Sequence, residues 1–251
     1  MKISLFLWIV FLIPSLAIES SRMVSGEHLE ENNPTVREST VDIQVRVGDK
    51  LYVFGKAQGT LDNVKIGMHL LNFAQNPKIS GINANLNQVT WKKLKNGAIQ
   101  IQSSYQPWPN YLTWIVLPDG KLKMEASATA SSQRSLANLG LGFDLQEEEL
   151  KSVELNNQAI ALMEDSQRTR PFKQVSFEFA NGKLNIQSEL SDLVFNSNFS
   201  AKESKEADFI ISFPENFPPS ESPSAPGVTM KDNTASSMEI LNRMVLWFDF
   251  Q

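Results

Sequence analysis

The chain has 251 residues, 41% hydrophobic and 20% charged, a composition typical of a globular protein with room for a sizeable core. The formal net charge of −5 argues against a nucleic-acid partner, which would require a basic surface. Because the chain has no cysteine, disulfides, thiolate metal sites and a cysteine nucleophile are excluded.

The first residues have the layout of a secretory signal peptide. Lys2 precedes an apolar run from Ile3 to Ile13, and small residues up to Ala17 follow that run. The run is short for a membrane span, and an uncleaved N-terminal anchor is the alternative interpretation. We therefore predict a signal peptide over residues 1–17 and a flexible polar leader over residues 18–40. The mature protein is expected to be secreted or periplasmic, with no membrane attachment after cleavage.

The predicted domain covers residues 41–251 and begins with a β-hairpin. Val41 to Val47 alternate between apolar and polar residues, and Gly48-Asp49-Lys50 turns the chain into Leu51–Phe54. Residues 55–88 are less regular. They include His69, which lies beside two leucines and is predicted in a half-buried strand.

The clearest strand pattern begins at Val89. Val89–Leu94 is predicted as the first strand, and Asn96-Gly97 indicates a type I′ hairpin turn, whose two central residues need φ > 0. Ile99 to Tyr105 then alternate, with apolar and small residues on one face and glutamine or serine on the other. This period of two is typical of a strand with one solvated face.

Two more strands extend this pattern into an antiparallel meander. Tyr111–Leu117 is apolar on both faces, as expected of a strand covered on both sides. Pro118-Asp119-Gly120 reverses the chain, and Leu122 to Ala126 alternate again. The sequence thus predicts four consecutive antiparallel strands.

The C-terminal half repeats these signals. Val175 to Phe179 alternate, and Asn181-Gly182 predicts another tight turn. Phe209–Phe213 and Met244–Phe250 are predicted strands, the second of which fixes the C-terminus. Between them, the proline-rich segment Phe217–Pro226 is expected to be an extended loop, because proline is excluded from sheet interiors.

The order of these segments resembles a known family. Four runs carry the resemblance: TWKKLKNGAIQIQSSY, LTW, PDGKLKMEAS and LGLGFDLQEEELKSVE. They resemble the C-terminal domain of family-2 glycoside hydrolases, the β-galactosidase small-chain domain. The resemblance covers about Val41 to Gln251. It implies a mostly β fold, an antiparallel β-sandwich of the galactose-mutarotase-like supersandwich type.

The segment after GLGFD departs from the family pattern. In the family a tyrosine and a proline precede the acidic residues, whereas Leu145 and Gln146 precede Glu147 here. The stretch Glu147–Gln167 also carries a partial helical stripe. The resemblance instead implies an acidic turn and a strand near Val153, which we favour.

The resemblance implies an accessory domain rather than a catalytic one. The family's catalytic carboxylates belong to a separate barrel domain, and this chain is too short to contain that barrel as well. Glycosidases need two positioned carboxyl groups, and no local pattern singles out such a pair. A sugar epimerase on this fold would need a histidine acid, for which His69 is the candidate outside the leader; a simple strand-edge histidine is the favoured interpretation. We predict no catalytic residue, metal site or cofactor.

A carbohydrate site is predicted in the loop between two strands of the meander. Prolines on both sides of Trp108 stiffen the loop, and an exposed indole stacks well on a sugar face. Gln106, Asn110 and Tyr111 would add hydrogen bonds. The alternative is that Trp108 folds back as a lid over the sandwich edge. The tryptophans within predicted strands are assigned to the core: Trp91, Trp114 and Trp247.

Three functions are compatible with these patterns. The first is a secreted, non-catalytic carbohydrate-associated domain whose partner is a glycan or the catalytic chain of a glycoside hydrolase. The second is an enzyme, either a β-galactosidase-type fragment acting with a partner chain or a sugar epimerase. The third is an interaction module without a ligand. Glycan binding separates the first from the third.

Overall fold

The computed structural model describes residues 33–127, 136–145, 150–161, 169–190, 192–199, 207–216 and 243–251. Every regular element within these ranges is a β-strand, and all strand pairs are antiparallel. In the same ranges no helix has the length and apolar character needed to cross a membrane. The predicted mostly β fold is confirmed.

The first sheet contains the five N-terminal strands in sequence order. They are β1 (Thr35–Glu38), β2 (Asp42–Val47), β3 (Lys50–Gly55), β4 (Leu61–Ile66) and β5 (His69–Leu71). The hairpin predicted around Gly48 is the β2–β3 connection, and Gly48 has φ +55°. β1 lies in the segment that the sequence places in the leader, so the fold begins before Val41.

The second sheet has nine strands in the order β13-β12-β15-β16-β19-β10-β9-β8-β7. The strands that form its centre and one edge are β7 (Asn85–Lys93), β8 (Ile99–Gln106), β9 (Tyr111–Val116), β10 (Leu122–Ser127) and β19 (Arg243–Phe250). The remaining strands are β12 (Leu150–Leu155), β13 (Gln158–Ile160), β15 (Gln174–Phe179) and β16 (Gly182–Ser188). The strand favoured near Val153 is therefore present as β12.

The third sheet has five strands in the order β14-β17-β18-β11-β6. Its strands are β6 (Phe73–Ser80), β11 (Gly140–Leu145), β14 (Thr169–Phe172), β17 (Leu193–Ser197) and β18 (Phe209–Ser212). The GLGFD segment forms β11. The predicted loop Phe217–Pro226 lies outside the described residues.

The predicted meander is confirmed, because β7, β8, β9 and β10 are consecutive neighbours in the nine-stranded sheet. The type I′ turn predicted at Asn96-Gly97 is wrong. At the β7–β8 turn only Gly97 has positive φ, at +83°, and Asn96 does not, so the turn is not type I′. The tight turn predicted at Asn181-Gly182 is confirmed, because Phe179 of β15 pairs directly with Gly182 of β16, and neither Asn181 nor Gly182 adopts the left-handed conformation. Glycine and asparagine thus mark both turns without fixing their backbone class.

The nine-stranded sheet packs against both five-stranded sheets to form a sandwich. Phe54 of the first sheet contacts Trp114, with ring centroids 6.1 Å apart. Phe73 of the third sheet contacts Phe248 at 5.9 Å, and Phe143 contacts the same ring at 5.6 Å. These rings belong to one continuous core, in which aromatic contacts add to the free energy of apolar burial.

Candidate functional site

Trp108 is packed into the protein rather than exposed. Its side chain is 2% exposed, and its ring meets Phe213 edge-on, with centroids 6.4 Å apart and an interplanar angle of 71°. Stacking on a sugar requires an open aromatic face, which Trp108 does not provide. The geometry matches the alternative interpretation, in which Trp108 folds back over the sandwich edge.

The Trp108 ring carries an unusual polar atom. Its indole Nε1 is buried and has no hydrogen-bond partner among the described residues. A buried donor without an acceptor destabilises a fold by about 1–3 kcal/mol. The site that the sequence predicts is therefore a packing site, and its indole N–H has no acceptor in the part of the chain that the structure describes.

The other residues of the predicted site are more accessible. Gln106 and Tyr111 are exposed, the latter by 44%, and Asn110 is half-buried. The strand register places Gln106 and Tyr111 on the solvent side of the nine-stranded sheet, which we call the outer face. The loop therefore does not bring Gln106, Asn110 and Tyr111 together around an exposed Trp108 indole.

The outer face is rich in amide and hydroxyl groups. Along β8, Gln100, Gln102 and Ser104 point outward, while the alternate residues enter the core. The same alternation on neighbouring strands adds further polar side chains to this face: Gln88, Thr90, Thr113, Ser176, Asn185 and Gln187. This composition provides many hydrogen-bonding groups that are uncharged at neutral pH.

A groove of about 770 Å³ opens on the outer face where β15, β16 and β19 meet the turn between β9 and β10. Its polar lining residues are Asp119, Lys121, Gln174, Ser176, Asn185, Gln187, Asp249 and Gln251, and its aromatic lining residues are Trp247 and the buried Phe248. Small-molecule sites are concave and are lined mostly by apolar and aromatic side chains with a few polar groups, whereas this groove is concave but mostly polar.

Trp247 projects outward and is not the core residue that the sequence predicts. Its neighbours on β19, Leu246 and Phe248, enter the core, whereas Trp247 lies opposite Lys123 on the outer face and is half-exposed. Arg243 and Asp249 share its alternation. These flanking charges are a sequence signal that marks this side of β19 as solvated.

The indole of Trp247 is held in place by an ionic network. Its Nε1 donates to Glu189 Oε1 at 2.7 Å, and the Lys123 ammonium lies 5.1 Å from the ring centroid. Lys123 also pairs with Glu125 at 2.8 Å and with Glu189 at 3.5 Å. Because these partners fix the ring before any ligand arrives, little conformational entropy remains to be lost on binding.

Polar groups in the groove retain unused hydrogen-bonding capacity. Ser176 Oγ donates to Asn185 Oδ1 at 2.6 Å, which orients the Asn185 amide, and its Nδ2 has no acceptor within the described ranges. Gln174 is similarly fixed through a donation to Asn157 at 2.6 Å. Asp249 Oδ2 receives Gln251 Nε2 at 3.2 Å and lies 3.7 Å from the Lys121 ammonium. Among the described residues no donor is found for Asp249 Oδ1.

The charges in the groove do not favour an anionic ligand. Asp119 and Asp249 contribute two carboxylates against the single ammonium of Lys121. The neighbouring Lys123 is already compensated by Glu125 and Glu189. The groove therefore disfavours an anionic ligand and is compatible with a neutral or a cationic polar ligand.

The acidic residue of the GLGFD segment lies on the opposite side of the sandwich. Asp144 is half-buried and accepts both hydrogen bonds of the Asn76 amide at 3.0 Å. Burial raises the pKa of Asp144, and the bonds from Asn76 and from the Asp208 backbone oppose that rise. Asp208 in turn accepts a hydrogen bond from the Leu145 backbone. These contacts explain Asp144 as a structural residue of the third sheet.

The remaining candidate for chemistry does not form a site in the part of the chain that the structure describes. His69 is exposed on the edge strand β5, so the predicted half-buried position is wrong. No group of three or more potential metal-ligating side chains occurs among the described residues.

Comparison with known proteins gives no family for this chain. No protein-family model matches it, and no curated protein matches it. The resemblance to family-2 glycoside hydrolases therefore stays a prediction, whereas the antiparallel β-sandwich is shown by the structure.

Proposed function

We propose that this chain is a non-catalytic carbohydrate-binding domain. Its binding site is the groove on the outer face, with Trp247 as the aromatic surface. The observation that carries this proposal is the half-exposed, pre-ordered indole beside a set of amide, hydroxyl and carboxylate groups.

The groove matches the chemistry of a sugar ring. A pyranose has an apolar face of C–H groups and a rim of hydroxyls that both donate and accept hydrogen bonds. The indole supplies an apolar surface of the right shape, as aromatic side chains do at ligand sites. Asn185, held by Ser176, and the exposed Gln187 offer donors and acceptors, and Asp249 Oδ1 accepts from hydroxyl groups.

The proposal agrees with the resemblance and with the expected export. A domain similar to the small-chain domain of β-galactosidases would act beside a glycoside hydrolase catalytic chain and hold it near a glycan. The signal peptide predicted over residues 1–17 would place that activity outside the cytoplasm. Sequence patterns support both statements, and both are part of this proposal.

A matched pair of tryptophan variants tests the proposal. Trp91 is 37% exposed and donates from Nε1 to Glu38 at 2.7 Å, so its environment resembles that of Trp247, but it does not line the groove. The purified chain and the variants Trp247→Ala and Trp91→Ala are applied to a glycan array, followed by titration calorimetry. We expect glycan binding by the parent, loss of binding in Trp247→Ala, and parent-like binding in Trp91→Ala.

The alternatives predict different results. A ligand-free interaction module would leave the array blank. An accessory subunit without its own sugar site would also leave the array blank and would bind a glycoside hydrolase catalytic chain. Equal glycan binding by the parent and by Trp247→Ala would contradict the proposed location of the site.

A further inference from the structure

Tyr111 is a second exposed aromatic residue on the outer face. The register pairs Tyr111 of β9 with Ser127 of β10, and Ser127 with Arg243 of β19. Arg243 and Trp247 are an even number of positions apart on β19 and therefore point to the same side of the sheet. Tyr111 and Trp247 thus share the outer face, and Tyr111 is 44% exposed.

The separation between these aromatic residues follows from the register. They are two strands apart across the sheet and four residues apart along it. With a rise of about 3.4 Å per residue and a strand spacing of about 4.8 Å, their backbones lie about 17 Å apart. One sugar ring is too small to contact both side chains, but a short oligosaccharide spans this distance.

The surface between the two rings is polar and electrically balanced. Glu125 lies at its centre and pairs with Lys123 at 2.8 Å and with Arg243 at 3.5 Å. The register places Thr113 of β9 opposite Glu125, and Thr113 Oγ1 receives a hydrogen bond from Gln102 Nε2 of the next strand, β8, at 3.3 Å. Along this path a chain of neutral sugars meets hydrogen-bonding groups, and the two cations that the structure describes here, Lys123 and Arg243, are both paired with Glu125.

From this arrangement we propose that the outer face binds an extended neutral oligosaccharide, with Trp247 and Tyr111 stacking on different sugar units of one chain. The inference rests on the proposed function and adds a second subsite and a ligand class. Tyr111 is the residue that makes the affinity depend on oligosaccharide length.

The test is a titration series of neutral β-linked glucose, galactose, mannose, xylose and N-acetylglucosamine sugars, from monosaccharides to hexasaccharides, with the purified full chain. We expect the affinity for the preferred sugar type to increase with length until both aromatic residues are covered. Stacking of one further ring corresponds to a gain of about three- to tenfold. Replacing terminal sugars by uronic acids is expected to weaken binding.

Variants at Tyr111 separate the second subsite from the first. Tyr111→Ala is expected to remove the gain from chain length while short-sugar affinity and melting temperature stay unchanged, and Tyr111→Phe is expected to keep the gain. Length-independent affinity in the parent, or an unchanged gain in Tyr111→Ala, would overturn the second subsite. Absence of binding to every sugar by the parent would instead refute the proposed function and this inference with it.

Discussion

The burial of Trp108 leads to a quantitative prediction about stability. Truncating a fully buried tryptophan to alanine removes its apolar burial and leaves a cavity, so Trp108→Ala is expected to lower the free energy of unfolding by about 3–5 kcal/mol. In a domain of this size each kcal/mol lowers the melting temperature by about 2–4 °C. The expected decrease in melting temperature is therefore about 6–20 °C.

Trp108→Phe should behave differently, because it also removes the buried Nε1 donor. The smaller ring buries about 50 Å² less apolar surface, a loss of about 1 kcal/mol. Removing a buried donor that has no acceptor raises the free energy of unfolding by about 1–3 kcal/mol. The two effects sum to between no change and a gain of about 2 kcal/mol in the free energy of unfolding, so the phenylalanine variant should be at least as stable as the parent.

Urea unfolding with linear extrapolation measures both variants, and Trp91→Ala serves as the control for loss of a partly exposed indole. A loss below about 1 kcal/mol in Trp108→Ala would show that the ring is not packed as the structure has it. A phenylalanine variant as unstable as the alanine variant would show that the indole N–H has an acceptor in solution.

Three further predictions concern other parts of the chain. Tyr52 donates to the Gly120 carbonyl at 2.6 Å, so Tyr52→Phe is expected to lower the free energy of unfolding by about 1–3 kcal/mol. Tyr111→Phe serves as the control and is expected to leave the free energy of unfolding unchanged in the same denaturation assay. Because the pKa of Asp144 is raised in the folded state, its ionised form opposes folding above that pKa, and its contribution to stability increases as pH falls from neutral to about pH 4. Asp144→Asn should remove this contribution, and a parent and variant with identical pH profiles would contradict the burial of the carboxyl group. Mass spectrometry of the mature protein is expected to show loss of the residues through Ala17, and an intact Met1 on a membrane-bound product would contradict export.

The sequence predicts the fold well because strand alternation is a local property. Ile99 to Tyr105 alternate with polar residues, and this pattern alone identifies β8 and its buried face. The closing strand β19 is predicted from another local feature, a continuous run of apolar residues. Turn type is less accessible from sequence, since Asn96-Gly97 is compatible with several backbone classes and tertiary packing selects one.

The site is harder to predict because it depends on long-range packing. The prolines around Trp108 indicate a stiff loop, but its ring packs against Phe213, more than a hundred residues later, and no local pattern shows that contact. Trp247 lies in a strongly apolar run and is therefore assigned to the core from sequence. Whether its side chain faces the core or solvent depends on which face of β19 position 247 occupies. Its orientation depends on Glu189 and Lys123, which lie on other segments.

Nuclear magnetic resonance of the indole N–H groups tests the central claim most directly, because each tryptophan gives its own signal. The ¹⁵N-labelled chain is titrated with the oligosaccharide that binds best, and Trp247→Phe assigns the Trp247 signal. We expect the Trp247 signal to shift in proportion to bound sugar, while the signals of Trp91, Trp108 and Trp114 stay in place. Saturating sugar that shifts the Trp108 or Trp91 signal and leaves Trp247 unmoved would contradict a carbohydrate site in the outer-face groove.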